Sequence, residues 1–466
     1  MLARNATSGN NLGLVLAVYL TGLLIGGLYV GMISPARTVI QADFGLDGAT
    51  GIWMINIYTL FYAATIPIIG KIADRRGRTL VFTVCVGVFC LGSIVCGVSQ
   101  MVGGYGLLLV GRVVQAVGAG GIIPVANAEI GTSFPPEKRG MALAIAAVVA
   151  GVSNVFGAVV GSAVFAVVGV QNWPMMFYLC VPFCIAVVLA AALFLPRSAG
   201  DPNRGKMDVA GSCLFALFVF LLLLGMKGLD FALLVESVVQ PAVWAPLLGA
   251  VAALLAFRAV ERRADDPVFH LEFLQSRPIV ITMVVSFFIG CFIISMVLVP
   301  ELAEFAMDAP LGSGGYYVLA IGLLSFVTTP IGGKLIDKVG PKPVLVVGLG
   351  ISIAGLLFLA FVAMAAPSAV TLIGGLMVVG AGMGLAMGAP TNYMVLENVD
   401  SAHSTAAVAT IALVRQIGTS LAPAIYVGLL GVLPGAGGYQ AMLVCVAVFD
   451  AIALATVLLY QSPNRA

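Results

Sequence analysis

Charge is what this sequence lacks most. Of its 466 residues only 9% are Asp, Glu, Lys or Arg, against about a quarter in soluble domains, which excludes an ordinary water-exposed globular surface. Histidine is scarcer still: there are two, His270 and His403, and no His-rich metal motif is possible with so few. The eight cysteines all lie in apolar runs without CxxC spacing, so they read as small packing residues, with no disulfide framework and no metal site. No GxxxxGK[ST] loop is present, which argues against a built-in ATPase motor, and neither HExxH nor GxSxG appears, which argues against a membrane enzyme. The net charge is only +2, so the distribution of charge must carry what the total does not; neither a nucleic-acid partner nor a cofactor is expected.

Apolar length is what the chain has in abundance. Hydrophobic residues make up 61% and the mean hydropathy is +1.12. Counting runs able to cross about 30 Å of hydrocarbon predicts helices near 12–33, 52–69, 80–98, 104–130, 141–168 and 176–195, then 209–226 and 241–260, then 279–302, 315–332, 344–365, 369–396, 404–428 and 439–460. The first run exceeds a signal-peptide core and lacks a small-residue cleavage pattern, so it is expected to be retained as a span. The expected architecture is an all-α membrane protein of fourteen transmembrane helices. It divides into a six-helix bundle (1–196), a linker with two inserted helices (197–278) and a second six-helix bundle (279–466).

The halves are marked by a repeat. Pro67-Ile-Ile-Gly-Lys-Ile-Ala-Asp-Arg-Arg-Gly-Arg78 and Pro330-Ile-Gly-Gly-Lys-Leu-Ile-Asp-Lys-Val-Gly-Pro341 share Pro, Ile, Gly, Lys, Asp and Gly at the same spacing, 263 residues apart. That period signals a duplicated bundle rather than a solenoid. Placing the first copy in the cytoplasm puts 18 of the 22 basic residues inside, only Arg37 and Lys227 outside, and Arg112 and Arg415 within spans. Such asymmetry places both termini in the cytoplasm. Both copies then share one orientation, as in parallel halves related by an axis along the membrane normal.

These residues resemble the major facilitator superfamily and, within it, the fourteen-helix drug/proton antiporters. Gly70 to Arg78 looks like that family's signature loop between its second and third helices. Trp53 and Tyr58 match a Trp-x4-Tyr pattern, Gly111-Arg112-Val113-Val114-Gln115-Ala116-Val117-Gly118 resembles the fourth-helix Arg-x-x-Gln-Gly motif, and Asn172-Trp173-Pro174 to Pro182 resembles the entry to the sixth. Glu261-Arg262-Arg263 to Pro267, continuing to Arg277, resembles the connector after the inserted helices. Two departures are visible. The fifth helix reads Phe156-Gly157-Ala158-Val159-Val160-Gly161-Ser162, without the antiporter proline, and Tyr29 occupies the position of a common first-helix acid.

The candidate sites each carry two readings. In the signature loop, Gly70, Lys71, Asp74, Arg75, Gly77 and Arg78, with Gly333, Lys334, Asp337 and Gly340 in the second copy, form a cytoplasmic gate clamp or a positive-inside anchor; Gly70 and Gly77 are expected to permit tight turns. The charge network is expected to be stronger in the first copy, where Arg75, Arg76 and Arg78 stand against Lys338, Val339 and Pro341. Arg112 with Gln115 serves an anionic substrate group or proton linkage, or is a structural tie, since a charge at that depth costs at least about 2.5–3.5 kcal/mol without a partner. Arg415 and Asp450, both near the midplane, pair with each other or couple protons. Glu129 and Glu397 are expected to be solvated, and Glu301, Glu304 and Asp308 to sit in a wet loop. Asn56, Asn154 and other polar groups at helix depth line a cavity or bridge helices.

The resemblance implies a secondary transporter working by alternating access, most readily proton-coupled efflux of a small, largely hydrophobic compound. Alternatives are an organic-anion symporter or exchanger, or a lipid translocase. A channel is disfavoured because the helices lack a continuous polar lining. The partners expected are a small-molecule substrate, protons and the bilayer of the plasma membrane, with the protein acting as a monomer.

Overall fold

The computed structural model describes residues 9–102, 104–134, 136–195, 209–227, 229, 234–263, 271–387, 390–399, 404–433 and 435–461. His270, His403, Arg4, Arg197, Arg204, Lys206 and Arg465 lie outside these, as do the side chains of Lys71, Lys138, Arg139 and Lys227. Among the described residues the secondary structure is helical, without strands. In hydrocarbon every peptide group must find its partner within the chain, and a helix does so locally.

The long helices follow the apolar runs. They are α1 (Gly9–Asp43), α2 (Trp53–Arg76), α3 (Arg78–Val102), α4 (Gly104–Ser133), α5 (Pro136–Val168), α6 (Cys180–Phe194), α7 (Val209–Lys227) and α8 (Pro241–Glu261). The second set is α9 (Arg277–Ser295), α10 (Val318–Val339), α11 (Pro341–Phe358), α12 (Ala369–Ala386), α13 (Ser404–Val432) and α14 (Ala436–Leu458). Among the described residues, thirteen spans are long and apolar enough to cross a membrane, and α7 adds a shorter apolar core, Ala210–Met226. Fourteen crossings are thus matched closely. Large apolar side chains such as Val167, Leu193, Leu248 and Leu255 are exposed, as they are when the surrounding solvent is lipid.

Several boundaries move for physical reasons. α1 runs ten residues past the expected end, through Pro35 and Arg37 to Asp43, because the Arg37 charge that seemed to close the apolar run is neutralised inside the protein. α9 continues through a 3-10 turn, Met296–Leu298, into a short helix, Val299–Met307. α11 passes into a π-helical turn, Leu359–Ala363.

The chain packs as two compact units. One contains 1–33 and 61–207; the other contains 34–60 and 208–466. α1 therefore changes unit between Ile33 and Ser34, and α2 between Leu60 and Phe61. In the first unit α3 and α4 pack tightly because Gly92, Gly111 and Gly118 let backbones meet: a Cβ on any of them would press on the facing helix. In the second, Gly355 and Gly382 do the same between α11 and α12. The inserted helices belong to the second unit, where Gly225 of α7 lies under Leu247 of α8. Phe220 of α7 meets Trp53 at the start of α2, their rings 6.1 Å apart.

Candidate functional site

The signature loop is built on a helix break. Gly77, at φ +97°, separates α2 from α3, a backbone value that costs a Cβ-bearing residue strain. Gly70 does not turn, contrary to expectation: it lies inside α2, where a Cβ would meet nothing within 4 Å. Across the break, Arg78 Nε and Nη2 donate to Asp74 Oδ1 at 3.2 and 3.0 Å. Arg78 Nη1 donates to the Ala128 carbonyl of α4 at 3.2 Å and lies 3.8 Å from Glu129. Glu129 is therefore not solvated as expected; it is buried, and it accepts from Ser133 at 2.9 Å. The loop thus ties the end of α2 to α4 through one guanidinium.

The second copy is wired differently. Gly340 supplies the turn at φ +86° and Gly333, like Gly70, sits inside its helix. Lys334, Asp337 and Lys338 are exposed, and among the described residues none of them makes a hydrogen bond or ion pair. The neighbouring Lys342 turns elsewhere, donating from Nζ to the Leu458 and Tyr460 carbonyls at 2.8 and 2.7 Å. Glu397, expected in solvent, accepts instead from the Tyr460 hydroxyl at 3.1 Å; burial, with Glu397 beside it, pushes that hydroxyl's pKa up.

At helix depth in the first unit, Arg112 and Gln115 come together as the motif suggests. Both are fully buried. Arg112 Nη1 donates to Gln115 Oε1, and Gln115 Nε2 donates to Ser93 Oγ at 2.7 Å. Ser93 was not singled out in the sequence, since one serine in an apolar helix gives no signal. Tyr29, at the position where the resemblance leads one to expect an acid, is buried, its hydroxyl donating to the Met176 carbonyl. Helix α1 presents a neutral group there. The Asn154 side chain is exposed, while its carbonyl backs onto Gly31.

In the second unit, Asp450 is entirely buried in α14. Its Oδ2 accepts from Ser352 Oγ of α11 at 2.6 Å, and its Oδ1 has no hydrogen-bond partner. The pairing of Asp450 with Arg415 that the sequence allows is not formed. Arg415 is half-buried in α13, where its carbonyl packs against Gly290 of α9. Asn56 is buried with its Oδ1 unpartnered. One turn on, Thr59 receives Gln416 Nε2 at its carbonyl and Ser420 Oγ at its hydroxyl, both at 3.4 Å.

A further polar group went unread. Arg37, 1% exposed, forms an ion pair with Glu301, and Glu304 is buried rather than in a wet loop. Glu304 Oε1 accepts the Gly312 and Gly314 amides at 2.9 and 3.0 Å, and Oε2 accepts from Thr38 at 3.3 Å. Asp308 is exposed, closing the Val299–Met307 helix in a left-handed conformation.

Comparisons with known proteins complete the site's context. The family model described as Major Facilitator Superfamily matches residues 18–423. A multidrug resistance protein B homolog of Mycobacterium tuberculosis is 28% identical over 85% of this chain and 72% of its own length. The riboflavin transporter RibZ of Clostridioides difficile is 25% identical over 89% of this chain and 87% of its own. Among solved structures, a bacterial homolog of the human lysosomal transporter Spinster, inward-facing and occupied, superposes with a TM-score of 0.68 at 17% identity, covering 98% of this chain and 97% of that one.

Proposed function

Since the chain belongs to the Major Facilitator Superfamily and is a multi-pass membrane transporter, we propose that it is a secondary transporter exchanging a small, largely hydrophobic organic compound for protons by alternating access. Efflux across the plasma membrane is the direction we assign, with both termini cytoplasmic and the protein acting as a monomer. The functional division into 1–196, 197–278 and 279–466 belongs to the same proposal.

The observation that carries proton coupling is Asp450. A carboxyl at helix depth with one hydroxyl partner and one unpartnered oxygen has the character of an intramembrane proton site. The one carboxylate of α1 is Asp43, its last residue, and the Tyr29 position supplies none. The two wired ends of the signature loop support a gate on the α2–α4 side. The multidrug relatives support a small organic substrate, and we assign it as largely hydrophobic because the spans carry so little charge.

A second reading rests on Arg112. A buried guanidinium held by Gln115 is equally suited to an anionic group of the substrate, which would make the protein an organic-anion symporter or exchanger. Purified protein in liposomes, given an imposed pH gradient and a panel of cationic, neutral and anionic compounds, separates the two. Antiport releases protons from the lumen as cationic or neutral substrate enters; symport carries protons in the same direction as an anion.

A further inference from the structure

We propose that Ser352 is the positioning residue of the proton site: by donating to Asp450 Oδ2 it leaves the transferred proton to Oδ1, on the side of the carboxyl that faces an apolar cavity. The inference rests on the reading of Asp450 as the proton carrier. It adds to that reading the atom that carries the proton and the side chain that selects the atom.

Ser352 bonds outside its own helix. A serine or threonine within a helix can turn its O–H back to a carbonyl of the preceding turn, as Ser93 does to Phe89 at 2.9 Å, Thr328 to Leu324 at 2.9 Å and Thr456 to Ile452 at 2.7 Å. Ser352 Oγ instead reaches from α11 to Asp450 Oδ2 of α14 at 2.6 Å, a length suited to a hydroxyl on a carboxylate. Its backbone is held from behind. Gly382 of α12 approaches so closely that a Cβ there would overlap the Ser352 amide nitrogen, so the hydroxyl is presented from a fixed point.

Among the described residues Asp450 has no second donor. Cys291 of α9 and Tyr426 of α13 lie within electrostatic reach of it, but their hydrogens are engaged elsewhere. The Tyr426 hydroxyl donates to the Cys291 carbonyl at 2.9 Å, and the Cys291 thiol donates to the Gly418 carbonyl at 3.8 Å. Oδ2 therefore has one partner and Oδ1 none. A protonated carboxyl consists of one O–H and one carbonyl oxygen. The oxygen that already accepts the Ser352 hydroxyl is the carbonyl one, and the O–H falls to Oδ1.

Helix geometry sets the side to which the carboxyl leans. Val446 stands one turn before Asp450 on α14 and Leu356 one turn after Ser352 on α11, and both line the cavity. Side chains of a helix tilt toward its N-terminus, which for Asp450 is the Val446 side. The cavity wall is apolar apart from Ser295, whose hydroxyl donates to the Phe292 carbonyl at 2.7 Å. No lining side chain offers a competing donor, so the bond to Oδ2 alone decides where the proton sits.

Difference infrared spectroscopy on the purified full chain in liposomes tests the assignment, because the C=O stretch of a protonated carboxyl reports the hydrogen bond to its carbonyl oxygen. The band of Asp450 is the one that Asp450→Asn lacks. It should move to higher frequency in Ser352→Ala, where Oδ2 loses its donor, and return in Ser352→Thr, which keeps a hydroxyl. Gradient-driven transport should fall about tenfold or more in Ser352→Ala, as for the loss of a hydrogen bond to a charged group, and recover in Ser352→Thr. Exchange of labelled for unlabelled substrate at equal pH should not change in either. If Ser352→Ala does not fold, Ser352→Cys, whose thiol is a weak donor, takes its place with a smaller shift in the same direction.

An Asp450 band at unchanged frequency in Ser352→Ala overturns the proposal, since Oδ2 is then not the carbonyl oxygen that Ser352 holds. Equal gradient-driven transport in the alanine and threonine variants overturns it as well. If Asp450→Asn removes no carboxyl band at any pH, the reading of Asp450 as the proton carrier fails, and the proposal with it.

Discussion

Gly31 and Gly157 meet at the α1–α5 contact so closely that a Cβ on Gly31 would overlap the Asn154 carbonyl and one on Gly157 the Leu28 carbonyl. The second unit repeats the device between α9 and α13, where Gly290 faces the Arg415 carbonyl and Gly418 the Phe287 carbonyl. The fifth-helix motif without its proline still serves the purpose that small residues serve in membranes, the approach of two backbones.

Replacing these glycines by alanine should therefore cost stability even though alanine is the better helix former. Gly31→Ala and Gly290→Ala are expected to lose about 1–3 kcal/mol, the cost of overpacking. Gly26→Ala, on the same α1 but with nothing within 4 Å of its Cβ, should be neutral or slightly stabilising. Thermal unfolding in detergent, read alongside folded yield, distinguishes the two outcomes.

The two signature loops should respond unequally. Asp74→Asn and Arg78→Gln remove charge-assisted hydrogen bonds that each contribute about 1.5–3 kcal/mol, and a transport rate about tenfold lower is expected at normal membrane expression. Asp337→Asn and Lys338→Gln alter exposed groups and should leave transport within about twofold, since exposed charges contribute at most about 1 kcal/mol. Initial uptake rates into vesicles, normalised to protein, make the comparison. Equal losses in both loops would contradict the asymmetry.

Tyr29→Phe should lower stability by about 1 kcal/mol, the size of one hydrogen bond, by removing the donor to the Met176 carbonyl. Proton-to-substrate stoichiometry should not change, because a neutral tyrosine in that position carries no proton in the cycle. A lost pH dependence in Tyr29→Phe would show that the hydroxyl does more than hold α1 to the chain ahead of α6.

Arg112→Lys keeps the charge but not the planar fork that meets Gln115. If Arg112 contacts substrate, KM rises about tenfold with folded yield intact. If it only ties α4 to α3 through Gln115 and Ser93, Gln115→Ala reproduces the loss of yield and leaves KM alone.

What could be read from residues alone followed from what is local. Fourteen spans, the repeat and the Arg112–Gln115 proximity are all visible within a few helical turns or as a fixed period. The errors have a common cause, since burial of a charge depends on a partner far away in sequence. Arg37 looked like the end of a span because Glu301 is 264 residues distant. Glu129 looked wet because its ion-pair partner Arg78 comes from another helix, and Glu304 because Thr38, one of its donors, is 266 residues away. Asp450 and Arg415 share a depth, which left pairing and proton coupling both open, but depth does not fix the azimuth of a side chain, and Ser352 faces Asp450. Gly70 and Gly77 are both glycines of the loop and so both expected at turns, but only Gly77 takes a positive φ.

Proton coupling through Asp450 is decided by one measurement. In proteoliposomes, Asp450→Asn should abolish substrate movement driven by a pH gradient and the accompanying proton release, while exchange of labelled for unlabelled substrate at equal pH continues at near the wild-type rate, because exchange needs the conformational cycle but no net proton transfer. Gradient-driven transport with unchanged proton release in Asp450→Asn would contradict the claim and move proton coupling away from α14.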